Sequence, residues 1–237
     1  MVRYNGWISI PEPYANGLFA QAGFDSVTLD CQHGGFDERA LALSLQALKT
    51  PQRLVRVLWN EPALIGKALD LGADGVIVPL VNSAAEARRM ADACRYPPKG
   101  SRSFGPGPAA LRAPDAPYAS LADSIEAWAM IETREALDSV DAIAATPGVD
   151  GLFVGPNDLA LSLGLGAGSN RQEPEILAAL ARIDRAAKAA GKMSGVFCTT
   201  AAYARQMATL GFDMVTTASD TLVFADAARR ILAEAKA

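Results

Sequence analysis

The chain of 237 residues holds a single histidine, His33, and three cysteines, Cys31, Cys94 and Cys198. The cysteines are odd in number, widely spaced and without a C-x-x-C pair. That pattern predicts neither a disulfide framework nor a zinc cage, and buried thiols are expected. No apolar run approaches the roughly 18 residues of a membrane helix. The opening stretch MVRYNGWISIPEP lacks the apolar core and cleavage site of a signal peptide, so a cytoplasmic protein is expected. Basic residues do not cluster. The net charge is −4, and Arg88-Arg89 and Arg229-Arg230 read as solvated helical pairs, which argues against a nucleic-acid surface. No G-x-G-x-x-G follows the first apolar run, so a dinucleotide site is disfavoured.

Lysine placement narrows the chemistry further. Lys49, Lys67, Lys99, Lys188, Lys192 and Lys236 fall in predicted helices, in loops or at a strand entry. A Schiff-base aldolase needs a lysine inside the barrel near a strand's carboxyl end, so an imine mechanism is not expected.

What is present is a repeat. AGFDSVTLD, LGADGVIVP, PGVDGLFVG and LGFDMVTTA each close a helix-like stretch on glycine and then enter a short apolar run. Glycine suits the left-handed position that ends a helix. A near-continuous apolar run is how a strand covered on both faces reads. Eight strands are predicted near Trp7–Ile10, Val27–Asp30, Leu54–Leu58, Val76–Leu80, Ala127–Ile131, Gly151–Val154, Met193–Phe197 and Met214–Thr217. Helices are predicted over Glu38–Leu48, Pro62–Leu71, Ala84–Cys94, Arg134–Ala145, Pro174–Ala190, Ala201–Leu210 and Leu222–Ala235. Half the residues are hydrophobic, enough for a sizeable core. Eight alternating units in this length predict one (β/α)8 TIM barrel over residues 1–237, with an open doubly wound sheet as the alternative. The segment 96–118, YPPKGSRSFGPGPAALRAPDAPY, interrupts the alternation. It is expected to be a loop that reaches the barrel mouth or a subunit contact.

Barrel chemistry sits at the carboxyl ends of the strands. Strand two ends in Asp30, closely followed by His33. Strand three carries Arg56, strand five leads into Glu132, and strand six into Gly155, Asn157 and Asp158. The other strands end in neutral residues. Glu132 and Asp158 are two anions on neighbouring strand ends and no lysine lies beside them, so a cation is needed. Carboxylate and water suit Mg2+ or Mn2+. Taken singly, either acid could equally cap a helix. Taken with Arg56 and His33 on the same rim, they favour the metal.

The stretches LDCQHGG, VRVLWNEP, GVIVPLVNSAAEARRMADACRYPPKGSRSFG, MIETREAL and VDGLFVGPNDLALSLG resemble the HpcH/HpaI aldolase family, metal-dependent pyruvate aldolases of the phosphoenolpyruvate/pyruvate barrel superfamily. The likeness runs from about Gly6 to the last helix. It implies Glu132 and Asp158 as metal ligands, with Co2+ admitted beside Mg2+ and Mn2+. It implies Arg56 as the active-site arginine, His33 as its histidine, and Asp30 as the acid that orients that histidine. A further acid, contributed across a subunit contact, falls on Asp70. Backbone amides from Gly155 to Asp158 are implied to hold the keto-acid carboxylate. The resemblance also implies a hexamer of two trimers.

Two departures bear on substrate. Gln32-His33 stands where many members read Glu-His, and Met130 stands where many have a glutamine that helps bind the keto acid. Both bring the chain nearer the hydroxy-keto-acid aldolase branch, which accepts hydroxypyruvate, than the heptenedioate aldolases. The implied reaction is reversible cleavage of a 4-hydroxy-2-oxo acid to pyruvate or hydroxypyruvate and an aldehyde. His33, directly or through a metal-bound water, is implied to take the C4 hydroxyl proton, and Arg56 to face the developing oxyanion. A citrate-lyase-like enzyme acting on acyl-CoA would want a basic groove, whereas this rim offers Arg56 and Arg102. A non-catalytic keto-acid sensor would not need the full set of Asp30, His33, Arg56, Glu132 and Asp158.

Overall fold

The computed structural model describes residues 1–112, 115 and 117–237. Eight strands form a closed barrel: β1 (Arg3–Ile8), β2 (Ser26–Asp30), β3 (Gln52–Arg56), β4 (Gly75–Val78), β5 (Glu126–Ile131), β6 (Gly151–Val154), β7 (Met193–Val196) and β8 (Met214–Ser219). Each pairs in parallel with the next, and β8 closes onto β1. The expected barrel is what the chain adopts. The runs GVIV and GLFV are buried along their whole length, because helices cover one face and barrel packing the other.

β1 starts and stops earlier than expected. Its predicted end, Ser9 and Ile10, leaves the ladder because both amides donate to the carboxylate of Asp220. Pro11 and Pro13 then prevent the strand from continuing.

The helices between strands are α1 (Pro13–Ala20), α2 (Glu38–Ala47), α3 (Pro62–Asp70), α4 (Ala84–Cys94), α5 (Gly107–Arg112), α6 (Tyr118–Asp123), α7 (Arg134–Asp138), α8 (Val140–Ala144), α9 (Pro156–Ser162), α10 (Pro174–Ala189), α11 (Ala201–Leu210) and α12 (Asp220–Lys236). Side chains open several of them. Asp37 accepts the Ala40 amide at 2.7 Å, Ser83 that of Glu86, Thr133 that of Ala136 and Thr200 that of Tyr203. The predicted helix over Arg134–Ala145 divides at Ser139 into α7 and α8. α1 carries no strong amphipathic pattern in sequence and emerges only here, whereas α9 is the helix expected to follow strand six.

Inside the barrel, Trp7, Leu54, Ile77, Trp128, Met130, Phe153 and Met214 make a core of their own. Gly151 lets the Trp128 ring lie against β6, since a Cβ there would overlap the indole. Each such side chain, fully buried, contributes about 1.5–3 kcal/mol. At the floor, Arg3 pairs with Glu126, which also accepts the Trp128 indole N–H at 2.9 Å.

The segment 96–118 departs from expectation in two ways. It is partly helical, containing α5 and α6, although residues 113, 114 and 116 of the expected loop lie outside the described residues. It also joins the end of α4 to the start of β5, which puts it at the floor of the barrel. Arg102 donates to Asp70 Oδ1 at 2.6 Å and lies 4.8 Å over the Tyr96 ring, while Phe104 packs on Tyr96. The mouth of this chain is therefore not where the loop goes. A connection from a helix to the next strand of a barrel lies on the face opposite the strand ends.

Of α12 only Asp220 is buried, and Phe224 (74% exposed) and Ile231 (60% exposed) face outward. Among the described residues, no helix is long and apolar enough to cross a membrane.

Candidate active site

Asp30 and Arg56 are the last residues of β2 and β3 and are partners in the register. Arg56 donates from Nε to Asp30 Oδ1 at 2.8 Å and from Nη2 to Oδ2 at 2.6 Å. Both residues are buried. The Trp7 indole N–H donates to Asp30 Oδ2 at 3.3 Å, and the guanidinium lies 5.0 Å from the Trp7 ring. The amides of Gln32 and His33 donate to Asp30 Oδ1. Burial pushes the Asp30 carboxyl up. The hydrogen bonds and charge of Arg56, with the His33 amide and Trp7, outweigh it and hold the group below its ordinary value.

This arrangement corrects one expectation. Asp30 orients Arg56 and the turn that carries His33, not the imidazole, which among the described residues has no hydrogen bond from it. Five donors already occupy its two oxygens. His33 itself is exposed at the rim.

Glu132 follows β5 and is buried. Its Oε1 accepts the Leu80 amide at 2.8 Å. Its Oε2 lies against Gly155, where a Cβ would come within 2.6 Å of it. Only glycine allows that approach. Burial pushes the Glu132 carboxyl up to about 7. Asp158 adds to the rise, while the Leu80 amide and Arg56 oppose it. Asp158 stands in the first turn of α9, whose N-cap is Gly155, and α7 is capped by Thr133. Neither acid is a helix cap, so the competing reading of each is removed.

A cavity of about 220 Å³ opens here, lined by Asp30, His33, Arg56, Met130, Gly155, Asn157 and Asp158. Glu132 sits directly behind Gly155. The Asn157 Oδ1 is buried and lacks a hydrogen-bond partner among the described residues. Trp7, Ser9, Phe197 and Ser219 also line the cavity. The sequence reading passed over these four because it sought ionisable groups. The same strand-end rule, applied to neutral residues, would have found them. Asp70 is not part of the cavity. It ends α3 at the floor, in its pair with Arg102.

The donor set fits a hard divalent cation. Asp158 lines the cavity, Glu132 stands behind Gly155 with a raised pKa, and the neighbouring arginine is paired with Asp30. Mg2+ is commonly held by one or two carboxylates, with water and substrate oxygens completing the shell.

A closed parallel barrel whose strand ends gather two carboxylates, a paired arginine and a histidine around one cavity has the layout of a barrel enzyme handling a small anionic substrate. The model of the HpcH/HpaI aldolase/citrate lyase family matches residues 3–227, and the chain belongs to that family. It is 40% identical over 234 residues, 98% of this chain and 93% of the relative, to the hydroxypyruvate/pyruvate aldolase of Rhizorhabdus wittichii. It is 36% identical over 234 residues, 96% of this chain and 88% of the relative, to the 4-hydroxy-2-oxo-heptane-1,7-dioate aldolase of Salmonella paratyphi A. The crystal structure of an HpcH/HpaI aldolase/citrate lyase family protein from Burkholderia cenocepacia superposes with a TM-score of 0.92 at 32% identity, covering 100% of this chain and 95% of that one. Relatives named as aldolases place the chain among the carbon–carbon lyases.

Proposed function

We propose that the chain is a metal-dependent aldolase that reversibly cleaves 4-hydroxy-2-oxo acids to pyruvate or hydroxypyruvate and an aldehyde. The observation that carries this reading is the buried Glu132, set against Gly155 behind the cavity that Asp158 and the Arg56–Asp30 pair line. The names of the relatives support the substrate class.

Glu132 and Asp158 would hold Mg2+, Mn2+ or Co2+, which when bound supplies Lewis-acid stabilisation of the enolate that forms as the C3–C4 bond breaks. Arg56 keeps Nη1 uncommitted among the described residues, and its charge faces the cavity where the enolate oxygen develops. Asp30 fixes that guanidinium in place. His33 accepts the C4 hydroxyl proton as the aldehyde carbonyl forms, and its exposed ring passes that proton to solvent. The first-turn amides of Asn157 and Asp158 suit the keto-acid carboxylate, and Asn157 Oδ1 is free to accept from a substrate hydroxyl. Met130 gives the donor pocket an apolar wall. Asp70 would act only from a neighbouring subunit.

Residues 1–237 are read as one barrel domain acting in the cytoplasm. The outward apolar residues of α12 support assembly, and a hexamer of two trimers is the proposed form. A panel of aldehydes with pyruvate and hydroxypyruvate, run with and without a chelator, tests the reading. Turnover indifferent to the chelator overturns it.

A further inference from the structure

Leu80 has a left-handed backbone, with φ of 53°. Among the described residues, the only other non-glycine residue with positive φ is Asn170. Asparagine enters that region readily, whereas for a bulky side chain it is an outlier. Such strain persists only where the surroundings over-determine it, and it gathers at functional sites.

The strained residue directly follows the end of β4, after Pro79, in the loop that leads to α4. There its amide points at Glu132 Oε1 and donates at 2.8 Å. A second tie runs alongside. The Thr133 hydroxyl donates to Asn82 Oδ1 at 2.5 Å, and the Asn82 amide is held by Glu86 Oε2. The β4–α4 and β5–α7 loops are thus joined at two points around Glu132. With Oε1 taken by Leu80 and Gly155 leaving room for Oε2, the carboxylate has one settled orientation. An extended residue 80 would send the following residues away from the β5–α7 loop, break the Asn82–Thr133 tie and loosen the hold of the Leu80 amide on the buried carboxylate.

We propose that Leu80 is a positioning residue for cation binding, acting through its left-handed backbone and amide rather than through its side chain. This rests on the reading of Glu132 as a metal ligand. Partners that hydrogen-bond to metal ligands typically change metal affinity by about 10–100-fold when removed.

The test is Mn2+ binding by the keto-acid-free protein, followed by electron paramagnetic resonance, with the thermal midpoint recorded for each variant. Leu80→Gly enters the left-handed region freely and should keep the dissociation constant within about threefold of the parent. Leu80→Ile has the same atoms but a branched Cβ that resists this conformation, and should weaken binding by about tenfold or more. Should Leu80→Ile fail to fold, a backbone ester at position 80, made with the α-hydroxy analogue of leucine, removes the N–H and keeps the side chain. It should weaken Mn2+ binding by about tenfold. An ester variant with an unchanged dissociation constant, or affinity that merely follows the thermal midpoint through the whole series, overturns the proposal. Glu132→Gln in the same titration separates the two readings. If it binds Mn2+ like the parent, the metal reading has failed. If it does not bind and the position-80 variants do so normally, only the role of Leu80 has failed.

Discussion

Arg56 and Asp30 face each other across the β2–β3 register and share two hydrogen bonds, of 2.8 and 2.6 Å, in a buried setting. A pair like this is costly to break from one side, because the remaining charge is left buried and alone. Removing one partner of a buried ion pair costs about 3–5 kcal/mol. Arg56→Ala should therefore lose stability on that scale in urea melts, in addition to about 10²–10³ in turnover from the missing oxyanion donor. Arg56→Lys should remain impaired, since an ammonium cannot span both Asp30 oxygens. A loss confined to KM, at full stability, would reduce Arg56 to a substrate-binding contact.

Glu132→Ala and Asp158→Ala should each abolish metal-dependent turnover while circular dichroism reports an intact barrel. Neither side chain caps a helix or belongs to the apolar core, so the barrel should form without them even where the Leu80 amide loses its acceptor. Full activity of Glu132→Ala in chelator would end the metal assignment.

The raised pKa of Glu132 gives a signed pH effect in the metal-free protein. The folded carboxyl keeps its proton up to about 7, whereas the unfolded one loses it near the ordinary value of 4.5. The folded state thus binds the proton more tightly, and its stability falls as pH rises between those values. Each unit is worth about 1.4 kcal/mol for one group, on the order of 3 kcal/mol across the window. Glu132→Gln should flatten that slope in chemical denaturation at pH 5 and pH 8. Metal should bind more weakly below pH 7, where the proton competes for the same oxygens. A parent slope identical to that of Glu132→Gln would contradict the burial argument.

His33→Ala should separate two reactions of one site. Removing a general base typically costs about 10²–10⁴ in rate. Aldol cleavage should fall by that much. Decarboxylation of oxaloacetate, which requires the enolate but no hydroxyl deprotonation, should survive. The Asp30–Arg56 pair does not depend on the imidazole, so the site should stay assembled. Equal losses in both reactions would send the search for a base elsewhere.

Arg102→Ala should free the 96–105 segment from α3, because the ion pair with Asp70 and the stack on Tyr96 both go. Hydrogen exchange in that segment should rise, and the oligomer measured by light scattering should loosen. If exchange, oligomer and aldehyde profile all stay as in the parent, together with those of Phe104→Ala, the segment is surface only.

The barrel was legible because short apolar runs closed by glycine recur, and parallel strands covered on both faces leave that mark in sequence. The strand-end rule likewise brought Asp30, Arg56, Glu132 and Asp158 to one rim, and the structure places them there. Tertiary structure decided the pairings. Asp30 could serve His33 or Arg56, and only the β2–β3 register, which sets Arg56 directly opposite, settled it for Arg56. The placement of segment 96–118 at the floor followed from which helix end it leaves, and its own α5 and α6 were hidden by its prolines and glycines. Least visible was the donor to Glu132. A backbone amide carries no side-chain signature, and nothing in the letters PLVN marks a leucine for the left-handed region. That conformation exists only because two loops, 52 positions apart at Leu80 and Glu132, close on one another when the barrel forms.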